Sequence, residues 1–208
     1  MSIITSELEK LKIGLVRMSL MVKRVVHVTQ ELFNAEAFES REKLWGELED
    51  LVIILDEMRK DLVNEVLMFI AKTQPLGREL LAAHVILSTA YDVHRISRYC
   101  REIARIDSML APSSGLNRLV SLSDMFKLAV EAVEAALDDI FEFAPKRSVL
   151  ISSIDFQVDE AYKKILTMLA SFINVPREVA FEALVMRHIE RIVDHAQYIE
   201  QHLSGVVA

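Results

Sequence analysis

Residues 186–203 read MRHIERIVDHAQYIEQHL. Their apolar members Ile189, Ile192, Val193, Ala196, Ile199 and Leu203 recur at helical spacing and line one side of an amphipathic helix. Glu190 and Asp194 stand four residues apart, so both carboxylates share the face beside that apolar stripe. Two negative charges at the edge of a buried seam cost free energy unless a proton, a basic neighbour or a cation relieves them.

The rest of the chain repeats this helical grammar. Only 5 glycines and 4 prolines punctuate 208 residues, helix formers dominate and two-residue alternation is nearly absent, so the fold class is all-α. Breaks at Thr73-Gln74-Pro75 with Gly77, at Ala111-Pro112-Ser113-Ser114-Gly115, at Ala144-Pro145 and at Asn174-Val175-Pro176 divide the chain into six helices. Their expected spans are 4–34, 37–72, 76–110, 117–143, 146–173 and 176–204.

The central break invites a search for an internal repeat. MVKRVVHVTQELF from Met21 aligns with MFKLAVEAVEAAL from Met125, and VHRISRYCREI from Val93 aligns with IERIVDHAQYI from Ile189. The expected organisation is two tandem three-helix repeats, over 1–110 and 116–208, packed as a single compact bundle.

Composition excludes several classes. The single cysteine, Cys100, rules out an internal disulfide framework and a cysteine-rich zinc site. A net charge of −7 and the absence of a basic stripe argue against nucleic-acid binding. The run LVIIL at 51–55 is too short to span a bilayer, so no transmembrane segment is expected. With no pattern of a secretory signal peptide at the N-terminus, the expected location is cytoplasmic. No nucleophile elbow, phosphate-binding loop or dinucleotide fingerprint occurs, and the expectation is a protein that is not an enzyme and has no organic cofactor. A ferritin-like di-metal bundle would need Glu-x-x-His, which is absent. Five cations in the first helix, Lys10, Lys12, Arg17, Lys23 and Arg24, read as a solvated face or as a partner contact. A hydrophobic content of 52% suggests more apolar surface than a two-repeat monomer buries and points to a homodimer.

A second acidic pair precedes the first by one helix: Asp155 and Asp159 are again four apart. Consecutive helices joined by a short connection run antiparallel, so the two pairs can face each other across a groove. Carboxylate oxygens there suit Mg²⁺, Mn²⁺ or Ca²⁺, and mixed carboxylate and histidine donors suit iron or zinc, with His188 and His195 as candidate additional ligands. The plain alternative is a solvated face, since 31 acids in 208 residues place roughly four to five such pairs by chance.

The motif ERIVDHAQYI at 190–199, together with QPLGREL at 74–80 and the paired three-helix units, resembles the PhoU family of phosphate-signalling regulators. The resemblance implies a dimeric, cytoplasmic regulator that links a phosphate ABC transporter to a sensor kinase and restrains uptake. It also implies a site for iron or zinc, with Mg or Mn less favoured, on the acidic pairs that fall here on Asp155, Asp159, Glu190 and Asp194. The first repeat departs from that pattern. His94 and Arg98 stand where Glu190 and Asp194 stand in the second, and Asp56 is followed four residues later by Lys60. These counterparts are degenerate, and Lys60 and Arg98 are expected to pair with Asp56 or Asp92. An alternative function within the same fold is cation-transport regulation or metal binding.

Overall fold

The computed structural model describes residues 3–110, 116 and 120–207. They form six α-helices and no strand: α1 (Ile3–Asn34), α2 (Phe38–Thr73), α3 (Arg78–Leu110), α4 (Val120–Glu142), α5 (Ser148–Ala170) and α6 (Arg177–Val207). Helix α5 stops three residues before the expected end because the Ser171 N–H and hydroxyl both turn back on the Met168 carbonyl. The expected loop at 111–115 and first turn of α4 at 117–119 lie outside the described residues.

Helices α3 and α6 form the central pair and make the most extensive contact in the bundle. α1 and α2 pack on α3, α4 and α5 pack on α6, and α1 meets α4. The sequence explains why α3 is central. Its apolar residues surround most of the helix, and small side chains, Ala82, Ala83, Ala90, Ser97 and Ala104, are buried and allow close approach on several sides. Cys100 is fully buried among them, where burial pushes its thiol up to about 12.

The two halves run against each other in opposite directions. Asp92 of α3 meets His195 of α6, while Met109 near the end of α3 meets Arg177 at the start of α6. The aligned motifs make Tyr99 and His195 equivalent positions, and their rings stack with centroids 5.6 Å apart. The stacked rings lie where α3 and α6 cross.

Two turns end their helices without glycine. Gln74 caps α2 in the left-handed region (φ 46°), its N–H reaching the Ile70 carbonyl, and Pro75 prevents continuation. Phe143 (φ 50°) ends α4: its N–H meets the Ile140 carbonyl while the Ala144 N–H meets that of Asp139, a Schellman arrangement followed by Pro145.

One fully buried aspartate in each half joins helix ends. Asp107 takes the Arg41 guanidinium (2.6 and 3.0 Å), the Trp45 indole N–H (2.8 Å) and the backbone N–H of Leu116 (2.8 Å), tying the start of α2 to the end of α3. Trp45 is thus a half-buried donor. Asp139 accepts the backbone N–H groups of Lys146 (2.6 Å) and Arg147 (2.7 Å) and the Arg147 guanidinium, fixing the entry to α5. Removing one partner of a buried pair leaves the other charge uncompensated. Asp107→Ala should therefore lower the unfolding free energy by about 3–5 kcal/mol in denaturant melts, and Trp45→Phe by about 1 kcal/mol.

Glu200 of α6 lies at the second junction, accepting the Ser148 hydroxyl at 2.9 Å. Burial, reinforced by the adjacent Asp139 carboxylate, raises it from 4.5 to about 7. The folded chain consequently holds a proton that the unfolded chain releases between about pH 4.5 and 7, so this group makes stability fall as pH rises through that window. Glu200→Gln should be more stable than wild type by on the order of 2 kcal/mol at pH 8 and indistinguishable from it at pH 4, as read from urea melts at both values.

Candidate functional site: an acidic groove between two helices

Antiparallel packing of α5 on α6 brings the two acidic pairs to one groove. The amide of Gln197 donates to Asp155 at 3.3 Å, which fixes the register. Burial raises Asp155 above the ordinary carboxylate range, and repulsion from Asp159 and Asp194 adds to it. Glu190 is raised by burial and then by Asp194, and Asp194 by burial with a contribution from Asp159. All four carboxylates therefore share one negative potential, as their spacing on the two helices leads one to expect.

The groove also contains its own cations. Arg187 donates to both oxygens of Glu190 (2.6 and 2.7 Å) and lies over the Tyr162 ring, while Arg191 donates to Asp194 at 2.7 Å and lies 3.5 Å from Glu190. These i,i+3 pairs follow from the helical period. The sequence shows Arg191 within the motif itself, and Arg187 could have been found by the same spacing. Their compensation is incomplete, because Asp155, Glu190 and Asp194 all remain raised.

Both histidines belong to the opposite side of α6. His195 Nδ1 lies 2.7 Å from the buried Asp92 carboxylate of α3, and its ring packs between Tyr99 and the edges of Tyr91 and Tyr198. His188 packs against Tyr99, and burial holds it below its ordinary value. His202 completes the cluster with Nε2 2.9 Å from Asp92. Burial pushes Asp92 upward, but the hydrogen bonds and charges of the two imidazoles outweigh it and leave the carboxyl below its ordinary value. Asp92 is thus engaged with histidines rather than with Arg98, contrary to the expectation from sequence.

In the first repeat the equivalent groove lies between α2 and α3. Asp56 pairs with Lys60 (2.9 Å), as expected, with Arg59 (3.0 Å), and with His94 Nε2 (3.3 Å). These contacts, the Lys60 hydrogen bond foremost, lower Asp56 to about 2. Burial and the cations Arg59, Arg98 and Arg95 hold His94 at about 4. Arg98 and Arg101 line a recess of about 230 Å³ beside them. The cations of α1, read from sequence as a solvated face or a partner contact, mostly form surface ion pairs within the chain: Lys10 with Glu7, Lys12 with Glu9, Lys23 with Glu134, and Arg24 with Glu31 and Glu47.

The raised carboxylates give the α5–α6 groove a negative charge and oxygen donors of the kind hard cations take. No ready-made metal centre, of carboxylates alone or with histidine, is formed there. Among the described residues no group of three or more His, Cys, Asp or Glu gathers as a metal site, and both candidate histidines are turned toward α3. A cation on Asp194 would have to displace Arg191.

Comparison with known proteins places this architecture. The chain is 27% identical over 186 residues to the phosphate-specific transport system accessory protein PhoU homolog of Deinococcus radiodurans, spanning 88% of this chain and 85% of that protein. It is 23% identical over 203 residues to the homolog of the same name from Synechocystis sp., spanning 96% and 89%. In structure it matches PhoU from Pseudomonas aeruginosa with a TM-score of 0.83 at 21% identity, covering 98% of each chain. The phosphate transport system regulatory protein PhoU from Streptococcus pneumoniae matches with 0.80 at 17%, covering 99% of this chain and 97% of that one. These two likenesses establish the fold. Residues 15–106 match the family model for the PhoU domain, and relatives named as PhoU homologs match along nearly the whole chain, which together support the PhoU family.

Proposed function

We propose that this protein is a non-enzymatic regulator of phosphate uptake and phosphate-responsive signalling, acting in the cytoplasm by binding a phosphate ABC transporter, a sensor kinase or both. The observation that carries the reading is the near full-length similarity to relatives named as phosphate-specific transport system accessory proteins. Among the described residues no helix is long and apolar enough to cross a membrane, in keeping with a protein that works by association. Exposed apolar side chains on α2, including Ile53, Ile54, Leu67 and Met68, support a homodimer that covers further surface. Deleting the gene should derepress phosphate uptake and phosphate-responsive transcription in phosphate-replete medium, and the intact gene should restore both. Unchanged uptake and transcription would refute the reading.

A second reading, a cation-responsive bundle, is favoured by the raised carboxylates of the α5–α6 groove. Asp155, Asp159, Glu190 and Asp194 would hold a divalent cation, which should raise the melting temperature by mass action. Mn²⁺ should stabilise wild type and should not stabilise Asp155→Asn/Asp194→Asn. In chelator-treated protein the double variant should itself be more stable than wild type near pH 7, by up to about 1 kcal/mol, because it removes repulsion in a partly solvated site. Equal melting temperatures with and without Mn²⁺, Fe³⁺ and Zn²⁺ would leave Arg187 and Arg191 as the groove's sole counter-charges.

A further inference from the structure

The segment 161–177, AYKKILTMLASFINVPR, contains Lys163, Lys164 and Arg177 and not one carboxylate, within a chain of net charge −7. It comprises the last turns of α5 and the turn into α6. It stands at the end of the bundle where α3 also finishes, with Arg177 donating to the Met109 carbonyl at 3.1 Å. The turn presents its apolar side chains outward: Ile173 is 99% exposed, Val175 44% and Phe172 39%. Leu166 and Met168 on α5 are 41% and 39% exposed, and Met109 beside the turn is 63% exposed. None of the six joins the hydrophobic core.

A contiguous apolar tip of this kind marks a binding surface. The charge pattern around it selects the occupant. Apolar side chains can enter the acyl boundary of a bilayer while flanking lysines and arginines remain among the phosphates. Lys163, Lys164 and Arg177 sit at this tip and outnumber the carboxylates at its margins, Glu160 and Glu178. Lys163 reaches back to Glu160 at 2.9 Å, and Lys164 makes no ion pair among the described residues. A second copy of the chain suits the tip poorly, because a two-fold contact sets a patch against itself and would oppose the same three cations.

We infer that the α5–α6 tip docks on an anionic lipid bilayer, inserting Phe172, Ile173 and Val175 and setting Lys163, Lys164 and Arg177 against the lipid phosphates. This goes beyond the regulatory reading and stands without it, since contact with lipid is measured on the purified protein whatever its effect on phosphate uptake.

The test is co-sedimentation of the full chain with vesicles of phosphatidylcholine alone and of phosphatidylcholine mixed with phosphatidylglycerol. The protein should partition onto the mixed vesicles, more weakly onto phosphatidylcholine, and less in high salt. Phe172→Asp/Ile173→Asp should weaken partitioning by roughly tenfold or more. Lys163→Gln/Lys164→Gln should weaken it about tenfold or more, each cation near such a surface being worth roughly fivefold. Phe156→Asp, on an exposed part of α5 away from the turn, should leave it unchanged. Thermal melts establish that each variant is folded. No binding to the mixed vesicles, or binding insensitive to the Phe172/Ile173 variant, would overturn the proposal. So would light scattering in which that variant converts a dimer to a monomer, which would assign the tip to a subunit interface.

Discussion

The bundle depends on the antiparallel contact of α3 with α6. Every other helix packs against one or both of these, and the seam carries the buried Asp92 carboxylate with His195 and His202. An apolar seam alone would tolerate sliding by a turn. A buried carboxylate that must keep its imidazole donors penalises each wrong register by the desolvation of an unpaired charge. The aromatic rings around His195 give the same positions shape as well as polarity. The two repeats are therefore joined through a specified contact, and the grooves on their outer sides inherit its geometry.

Those grooves show how one helical scaffold carries opposite electrostatics. In the second half, four carboxylates of α5 and α6 share one groove, and two arginines of α6, paired with Glu190 and Asp194, compensate them only in part. In the first, Asp56 is outnumbered by Lys60, Arg59 and His94 and lies far below its ordinary range. The same backbone pairing thus presents one groove whose carboxylates are only partly compensated and one whose acids, Asp56 and Glu57, are paired with cations. The two halves share helical, apolar packing residues and differ in charge at the groove positions, where packing imposes little.

Much of this was legible in the sequence because it rests on periodicity. The apolar stripes located six helices, and the prolines set most of their ends within a few residues. The facing of Asp155 and Asp159 toward Glu190 and Asp194 followed from spacing and a short connection. The histidines were not legible. His195 follows Asp194 in the chain, yet one residue is about 100° of helix, enough to turn the ring from α5 to α3. Its partner Asp92 lies in the other repeat, and no local pattern announces a contact across that separation. Arg98 was misassigned for the same reason, since Asp92 had partners that only the tertiary contact supplies. The junctions at Asp107 and Asp139 likewise depend on helix ends meeting in space.

Cys100 gives the central seam an unusual property. Its thiol has no exposed surface and a proton affinity raised far beyond that of a free cysteine, so the reactive thiolate is both rare and unreachable in the native chain. Modification must wait until α3 separates from its neighbours. The protein consequently carries an internal timer: the rate at which a thiol reagent consumes it reports how often the middle of the bundle opens, with no engineered label and no second cysteine to confuse the signal.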